Sequence, residues 1–171
     1  MNYRHRIATL DDLPAIVAIY NTTIASRDVT ADTEPVTVES RLAWFHEHTP
    51  ERRPLWIIES SSDDSASPAI LGWLSYSNFY GRPAYSGTAE LSVYIAPEAR
   101  GKGIGAYCLT EAIAHAPAVG VHTVLGFIFG HNAPSLGLFR KFGFEVWANL
   151  PKVANLDGVE RDLIILGKRV G

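Results

Sequence analysis

A glycine-rich segment at residues 100–106 carries the clearest chemical signal in this sequence. It reads Arg-Gly-Lys-Gly-Ile-Gly-Ala, follows an apolar run that ends at Ile95, and leads into a helix predicted over residues 105–116. The first backbone N–H groups of a helix have no intrahelical acceptor, so a turn that enters a helix gathers free donors at one point. Glycines let an anion approach the main chain, and the segment therefore predicts a phosphate-binding turn. An ordinary glycine-rich turn is the alternative.

A carboxylate precedes this turn by a few residues. Glu90 belongs to a strand predicted over residues 89–95, in which alternation places Glu90, Ser92 and Tyr94 on one face. A carboxylate inside an otherwise apolar strand costs free energy unless it is paired or used, which makes Glu90 a candidate general base. A surface-facing or ion-paired glutamate is the alternative.

Two common phosphate-binding motifs fit the sequence poorly. No Gly-x-x-x-x-Gly-Lys-Ser/Thr string occurs, so a P-loop nucleotidase is excluded. Gly101, Gly103 and Ala106 satisfy a dinucleotide fingerprint, but that fold needs an acidic residue about 20 positions later. No Asp or Glu occurs between Glu111 and Glu145. A stretch without carboxylates favours a ligand that carries several phosphates.

The composition limits the classes of protein to consider. Over 171 residues, 47% are hydrophobic and 19% are charged, as in globular proteins. The formal net charge of −3 predicts no general affinity for nucleic acid or for a membrane surface. The single cysteine, Cys108, excludes an internal disulfide. Since no signal-peptide pattern is visible, a cytoplasmic location is expected. His46 and His48 point to different faces of a helix, so no metal is expected.

The order of predicted elements indicates an α/β domain. Strands are expected at residues 3–8, 55–59, 70–76, 89–95, 123–129, 144–153 and 160–166, and helices at residues 10–26, 38–48, 105–116 and 132–142. The middle strand, helix and strand form a βαβ unit, whose strands should be parallel with a right-handed crossover. The last two strands should form an antiparallel pair.

With these elements in order, the sequence resembles the GNAT superfamily of N-acetyltransferases in two motifs. Val-Tyr-Ile-Ala-Pro at residues 93–97, followed by the glycine-rich turn, is similar to the superfamily's acetyl-CoA pyrophosphate signature. Residues 132–144, Asn-Ala-Pro-Ser-Leu-Gly-Leu-Phe-Arg-Lys-Phe-Gly-Phe, resemble its second motif. The resemblance covers nearly the whole chain. It implies one N-acetyltransferase domain over residues 1–171, with a mixed, mostly antiparallel sheet of about seven strands flanked by about four helices.

The resemblance implies acetyl-CoA as the co-substrate. Backbone groups of Val93 and Ile95, with Tyr94 between them, would hold the pantetheine arm like an added strand. Asn132 and Ser135 would contact the arm near the thioester. The pyrophosphate would bind at the turn, whose implied contact residues are Arg100, Gly101, Lys102, Gly103, Ile104, Gly105 and Ala106.

Further stretches resemble the phosphinothricin acetyltransferase branch, which includes homologues that modify methionine sulfoximine. They are Ile-Ala-Ser at residues 24–26 with Thr-Ala-Asp-Thr-Glu-Pro at residues 30–35, and Phe-Tyr-Gly-Arg-Pro-Ala-Tyr at residues 79–85 with Thr-Ala-Glu at residues 88–90. The resemblance implies a small amino-acid-like acceptor bound by Arg82, Tyr85 and Glu90. Its amino group would attack the thioester directly in a ternary complex, with Glu90 as base. The branch also implies a homodimer, and apolar residues around positions 146–153 would suit a two-fold interface.

Several departures from the family pattern leave alternatives open. Phe139 stands where many members carry a tyrosine acid, so water, Tyr94 or another group would protonate the departing thiolate. Residues 155–162 lack the aromatic residue and nearby histidine that the branch tends to carry. The acceptor could then be another small amine or a peptide N-terminus, or the chain could be a CoA-binding module without catalysis. Asp32 and Glu34 could meet a substrate ammonium or belong to a solvated loop.

Overall fold

The elements of the chain are seen in a computed structural model that describes residues 2–171. The strands are β1 (Tyr3–Ile7), β2 (Leu55–Ser60), β3 (Gly72–Asn78), β4 (Thr88–Ile95), β5 (Thr123–Phe129), β6 (Glu145–Leu156) and β7 (Val159–Arg169). The helices are α1 (Leu13–Asn21), α2 (Leu42–His46), α3 (Ile104–His115) and α4 (Ala133–Lys141). The predicted α/β fold is confirmed. No helix within residues 2–171 is both long enough and apolar enough to cross a membrane.

One mixed sheet contains all seven strands, in the order β1-β2-β3-β4-β5-β7-β6. The pair β4 and β5 is parallel, as predicted for the βαβ unit, and the other neighbours are antiparallel. The parallel pairing is short, because it joins only residues 88–90 of β4 to residues 123–125 of β5. Beyond Glu90 the two strands diverge, so the centre of the sheet opens into a cleft.

The helices cover both faces of the sheet. On one face the indole N–H of Trp73 in β3 donates to the carbonyl oxygen of Ile16 in α1, at 3.1 Å. On the other face the hydroxyl of Tyr76, three residues along the same strand, donates to the carbonyl oxygen of Ala112 in α3, at 2.6 Å. Helix α4 also lies on this second face. The sheet is therefore the middle layer of three, and Glu90 shares the α1 and α2 face.

Two predicted helices are shorter than expected. A 3₁₀ turn at Leu10–Asp12 precedes α1, and α1 ends at Asn21 rather than near residue 26. The hydroxyls of Thr22 and Thr23 donate to backbone carbonyl oxygens three residues earlier, at 2.6 and 2.7 Å, and such local bonds compete with helix continuation. Helix α2 is likewise reduced to Leu42–His46 after a 3₁₀ turn at Glu39–Arg41.

The last two strands form a long hairpin with β6 at the edge of the sheet. The pairing is irregular between Val146 and Ala148 and again between Leu150 and Ala154. At the first irregularity the ring of Trp147 lies so close to Gly167 that a Cβ at that glycine would be 2.0 Å away. The large apolar side chains exposed along this hairpin are Val146, Trp147, Leu150, Val153 and Val159. An apolar surface on an edge strand is a feature that a partner chain would cover.

Candidate active site

The divergence of β4 and β5 creates a cleft of about 160 Å³. Because β4 is paired to β5 only as far as Glu90, the backbone groups that follow on this edge have no strand beside them. An extended ligand can bind such an edge as an added strand. Residues predicted to contact a cofactor meet on the cleft wall: Val93, Tyr94, Ile95, Gly105, Asn132 and Ser135.

The predicted phosphate-binding turn lies directly before α3. Gly101 and Gly103 have φ of 73° and 82°, a left-handed conformation that favours glycine. A Cβ at either position would meet nothing within 4 Å, so the space above the turn is open. Within residues 2–171, no backbone N–H from Gly101 to Ala106 donates a hydrogen bond, and the next one, that of Tyr107, donates to the Gly103 carbonyl oxygen at 3.1 Å. Free donors at the start of a twelve-residue helix suit an anion.

Asn132 and Ser135 belong to the start of α4, on the opposite side of the cleft. The side-chain oxygen of Asn132 accepts a hydrogen bond from the backbone N–H of Ser135, at 3.3 Å, and so caps the helix. Asn132 has a structural role in addition to any contact with a ligand. Its amide nitrogen is still available as a donor to a group lying in the cleft.

Glu90 lies where the cleft meets two further cavities, and it lines all three. The side chain is half-buried, and its carboxylate has no hydrogen-bond or ion-pair partner among residues 2–171. The alternatives of a surface-facing or ion-paired glutamate therefore do not apply. Burial raises the pKa of the Glu90 carboxyl, since the charged form is the one that loses most on leaving water. A carboxylate in this position can accept a proton from a group in the adjoining space.

The largest cavity beside Glu90 measures about 400 Å³ and lies between the loop after α1 and the β6–β7 hairpin. Phe127 and Phe129 of β5 form one wall, and Leu156 and Leu163 of the hairpin form another. The walls are mostly apolar, and Glu90 supplies the carboxylate. This combination is typical of a small-molecule site.

The third cavity, of about 190 Å³, lies between the sheet and the helices α1 and α2. Its floor carries the hydroxyls of Ser75, Ser77 and Ser92. Ser75 faces Ser92 across the β3–β4 pair, while Ser77 faces Glu90. Ser75 is only 1% exposed. A polar cavity of this size has room for water, which would hydrate Glu90 from behind.

In the loop after α1, the carboxylate of Asp32 is bonded to other side chains of the protein. Asp32 accepts hydrogen bonds from the guanidinium of Arg41, at 3.0 Å, and from the hydroxyl of Tyr20. The Arg41 guanidinium also lies over the Tyr20 ring, 5.0 Å from its centroid. Asp32 is thus already paired, whereas Glu34 is exposed on the surface of the loop.

Two residues near the cleft are poorly suited to proton or acyl transfer. Tyr94 packs between Trp73 and Tyr20, with ring centroids 4.6 and 5.1 Å away, and burial raises the pKa of its phenol. Proton transfer from such a phenol to a thiolate is uphill, so Tyr94 is poorly suited to protonate the departing thiolate. Cys108 is fully buried in α3, and burial raises the pKa of its thiol to about 12. Its thiolate is therefore not available as a nucleophile.

Phe139 fills the position at which the family pattern has a tyrosine acid. Its ring lies against Gly126 of β5, so close that a Cβ at that glycine would be 2.5 Å from the ring. On its other side it packs edge-on against Phe144, with ring centroids 4.9 Å apart. The residue is buried and holds α4 against the sheet.

Arg82 and Tyr85 are exposed and lie on a separate cavity of about 240 Å³, which Arg52 also lines. The structure does not bring them into one cavity with Glu90. The two spaces are neighbours, however. Phe79 of the Arg82 cavity packs against the ring of Phe127, which lines the cavities of Glu90, with ring centroids 6.5 Å apart.

Arg53 holds in place the loop at residues 78–86, here called the Arg82 loop. This role of Arg53 was not predicted from the sequence. Its buried guanidinium donates to the side-chain oxygen of Asn78 and to the carbonyl oxygen of Ser86, both at 2.7 Å. A third bond, at 2.8 Å, reaches the carbonyl oxygen of Arg52. These contacts join the two ends of the loop at residues 78–86. The sequence feature that could have indicated this role is a charged residue placed just before an apolar strand.

The structure offers no cluster for a metal ion. Within residues 2–171, no group of three or more His, Cys, Asp or Glu side chains has an arrangement that could hold one.

Comparison with known proteins agrees with this geometry. The family described as acetyltransferase (GNAT) matches residues 16–144, which include most of α1, the cleft and α4. The chain belongs to this family. It is 53% identical over 165 residues to the Bacillus subtilis (strain 168) protein named "Putative phosphinothricin acetyltransferase YwnH", covering 96% of this chain and 98% of the relative.

More distant family members extend the comparison. The Pseudomonas aeruginosa L-methionine sulfoximine/L-methionine sulfone acetyltransferase is 33% identical over 161 residues, covering 94% of this chain and 91% of the relative. The crystal structure of a GNAT superfamily phosphinothricin acetyltransferase from Sinorhizobium meliloti in complex with AcCoA superposes with a TM-score of 0.90 at 27% identity. That superposition covers 100% of this chain and 90% of the other.

Proposed function

We propose that this protein is an acetyl-CoA-dependent N-acetyltransferase that acts on a small amino-acid-like acceptor of the phosphinothricin or methionine sulfoximine type. The observation that carries the proposal is the carboxylate of Glu90, which has no partner among residues 2–171, at the point where the β4–β5 cleft meets the 400 Å³ cavity. A base at this point can reach both a donor in the cleft and an acceptor in the cavity. The names and complexes of the relatives support the same reaction class.

Different residues of this chain bind different parts of acetyl-CoA, the acetyl donor. The N–H groups of residues 101–106, which donate no hydrogen bond within residues 2–171, bind the pyrophosphate, and the edge of β4 beyond Glu90 binds the pantetheine arm. Acetyl-CoA supplies an acetyl group activated as a thioester. A backbone N–H on the free edge of β4 donates to the carbonyl oxygen as negative charge develops there.

Glu90 removes a proton from the ammonium group of the acceptor. An α-amino group with a pKa near 8 is only about one tenth neutral at pH 7, so the ammonium has to lose a proton before attack. Glu90 accepts it, either directly or through a water molecule. The neutral amine then attacks in a ternary complex. Of the two protons that the ammonium loses overall, one ends on the thiol of CoA through water, and the other leaves Glu90 for bulk solvent.

The acceptor extends from Glu90 towards the Arg82 loop. The Phe79 and Phe127 rings pack against each other between the two cavities. An acceptor whose amine lies at Glu90 can therefore extend along these rings towards the second cavity. Its carboxylate or phosphinate would pair with Arg82, whose planar guanidinium offers two parallel donors. Tyr85 packs beside Phe79 and forms the wall of this second space, with ring centroids 5.5 Å apart.

We also infer the domain organisation, the location and the oligomeric state of the protein. Residues 1–171 act as a single N-acetyltransferase domain, and dependence on acetyl-CoA, an intracellular metabolite, favours a cytoplasmic location. The exposed apolar residues of the β6–β7 hairpin favour a homodimer. Since Val153 and Leu156 also line the 400 Å³ cavity, a dimer built on this hairpin would border the acceptor site. Neither nucleic acid, nor a membrane, nor a metal ion is required.

The test is a screen of purified protein with acetyl-CoA and a panel of acceptors, read by the release of free thiol. The panel contains phosphinothricin, methionine sulfoximine and methionine sulfone, with free amino acids, a polyamine and a short peptide for comparison. We expect turnover with the amino-acid analogues and none with the polyamine. Binding of CoA by calorimetry without turnover of any acceptor would instead identify a binding module.

A further inference from the structure

The first strand of the protein touches the phosphate-binding turn. The hydroxyl of Tyr3 donates a hydrogen bond to the carbonyl oxygen of Lys102, at 2.6 Å, across 99 positions of sequence. The Tyr3 ring also packs on Tyr107 at the start of α3, with ring centroids 5.7 Å apart. Tyr3 is fixed in turn by β1, where it faces Ser60 of β2. The first strand of the sheet therefore holds one carbonyl group of an otherwise open turn.

This carbonyl controls the direction of a neighbouring donor. The peptide group that joins Lys102 to Gly103 is trans and planar, so its C=O and N–H point in opposite directions. When Tyr3 holds the Lys102 carbonyl on the side of β1, the Gly103 N–H must point to the other side. That N–H is one of the free donors of the turn within residues 2–171.

Glycines would otherwise let this peptide group rotate. Gly101 and Gly103 flank Lys102, and neither has a side chain to restrict the rotation of the adjoining peptide planes. On the far side of Gly103 the chain is already fixed, because the Gly103 carbonyl accepts from the Tyr107 N–H at 3.1 Å. The Tyr3 hydrogen bond thus fixes the second of the two peptide planes that meet at Gly103.

We infer that Tyr3 is a positioning residue for the co-substrate: it orients the Gly103 N–H towards the pyrophosphate of acetyl-CoA through the Lys102 carbonyl. This inference rests on the proposed function, since it requires the turn at residues 101–106 to bind that pyrophosphate. Tyr3 itself does not touch the ligand. Its contribution belongs to donor binding and not to the chemical step.

The test is Tyr3→Phe, which removes one hydroxyl and keeps the ring. We expect the Kd for acetyl-CoA by calorimetry, and the KM for acetyl-CoA, to rise about two- to tenfold, the range of one ordinary hydrogen bond, with kcat unchanged at saturation. With S-acetylpantetheine, a donor that lacks the pyrophosphate, kcat/KM should equal that of the wild type. A partly unfolded variant would instead lose activity with both donors, which separates misfolding from the expected effect.

Tyr107→Phe is the matched control. It removes a hydroxyl from the same aromatic pair, but that hydroxyl bonds to the Nδ1 atom of His5, at 2.8 Å, and not to the turn. We expect wild-type values with both donors. Equal Kd values for acetyl-CoA in Tyr3→Phe and wild type, or equal losses with both donors in a variant whose Tm matches the wild type, would overturn the role of Tyr3 while leaving the proposed function intact. A wild-type protein that does not bind acetyl-CoA would overturn both.

Discussion

Replacing Glu90 by glutamine tests whether this side chain performs chemistry. Glutamine keeps the shape and the hydrogen-bonding capacity of glutamate but accepts no proton at neutral pH. If Glu90 is the base, kcat at pH 7 falls about 10²- to 10⁴-fold, while the affinity for acetyl-CoA changes little. The defect becomes smaller as the pH rises, because bulk water then supplies neutral amine without help. In the wild type, protonation of Glu90 lowers kcat/KM on the acid side at a pH above the ordinary glutamate range, since burial raises its pKa.

The same substitution should stabilise the fold, which a purely structural glutamate would not do. Glu90 has no partner among residues 2–171, so its charge is a cost to the folded state. Because its folded pKa lies above the unfolded value, the folded state binds more protons between the two values. The contribution of Glu90 to wild-type stability is therefore greatest below its unfolded pKa and falls as the pH rises through its folded pKa. Each pKa unit between the unfolded and folded values lowers the free energy of unfolding by at most about 1.4 kcal/mol at pH 7. For a domain of this size, each kcal/mol changes Tm by about 2–4 °C.

The experiment combines thiol-release kinetics from pH 6 to 9 with thermal unfolding at pH 4 and pH 7. We expect Glu90→Gln to have a lower kcat and a higher Tm at pH 7, and a Tm close to that of the wild type at pH 4. Glu98→Gln is the control, because Glu98 is an exposed glutamate in the turn at Pro97–Ala99 and should change neither quantity. Near-normal kcat in Glu90→Gln would refute the role as base. A lower Tm at pH 7 together with a lower kcat would show that Glu90 is structural.

Three further substitutions test the other parts of the site. Gly103→Val places a branched side chain in a left-handed turn and should weaken acetyl-CoA binding at least tenfold by calorimetry; Gly120→Val imposes a similar strain at φ 74° far from the turn and should leave the affinity unchanged. Arg82→Ala should lower kcat/KM about 10- to 150-fold for an acceptor with a carboxylate or phosphinate, from the loss of one charge-assisted bond. An equal loss with an amine that lacks such a group would contradict this pairing. Light scattering at micromolar concentration should give a dimer for the wild type and a monomer for Val146→Asp, while Leu10→Asp, an exposed apolar position outside the hairpin, should leave the dimer intact. A monomeric wild type would rule out the proposed interface.

The fold was predictable because its signals are local. Alternation along residues 89–95 predicted a strand that presents Glu90, Ser92 and Tyr94 on one face, and these three side chains do line one cavity. The glycine spacing in the turn predicted free donors before α3. Helix ends were less predictable, since the hydroxyls of Thr22 and Thr23 end α1 through bonds that compete with a regular helix pattern.

The partners of the charged side chains depended on the tertiary structure. Asp32 pairs with Arg41, and Arg53 joins Asn78 to Ser86, because the fold brings these distant segments side by side. Nothing in the local sequence pattern encodes such neighbours. Arg82 and Glu90, only eight positions apart in sequence, were expected together and occupy separate cavities.

The sequence by itself therefore determined which backbone and side-chain groups are capable of the chemistry, because strand alternation and turn conformation follow from neighbouring residues. The tertiary structure decided how those groups are combined. It separates β4 from β5 after Glu90, leaves the Glu90 carboxylate without a partner among the described residues, and brings Tyr3 to the phosphate-binding turn. Each of these results depends on which distant strand or helix lies alongside, and that is set by the packing of the whole sheet.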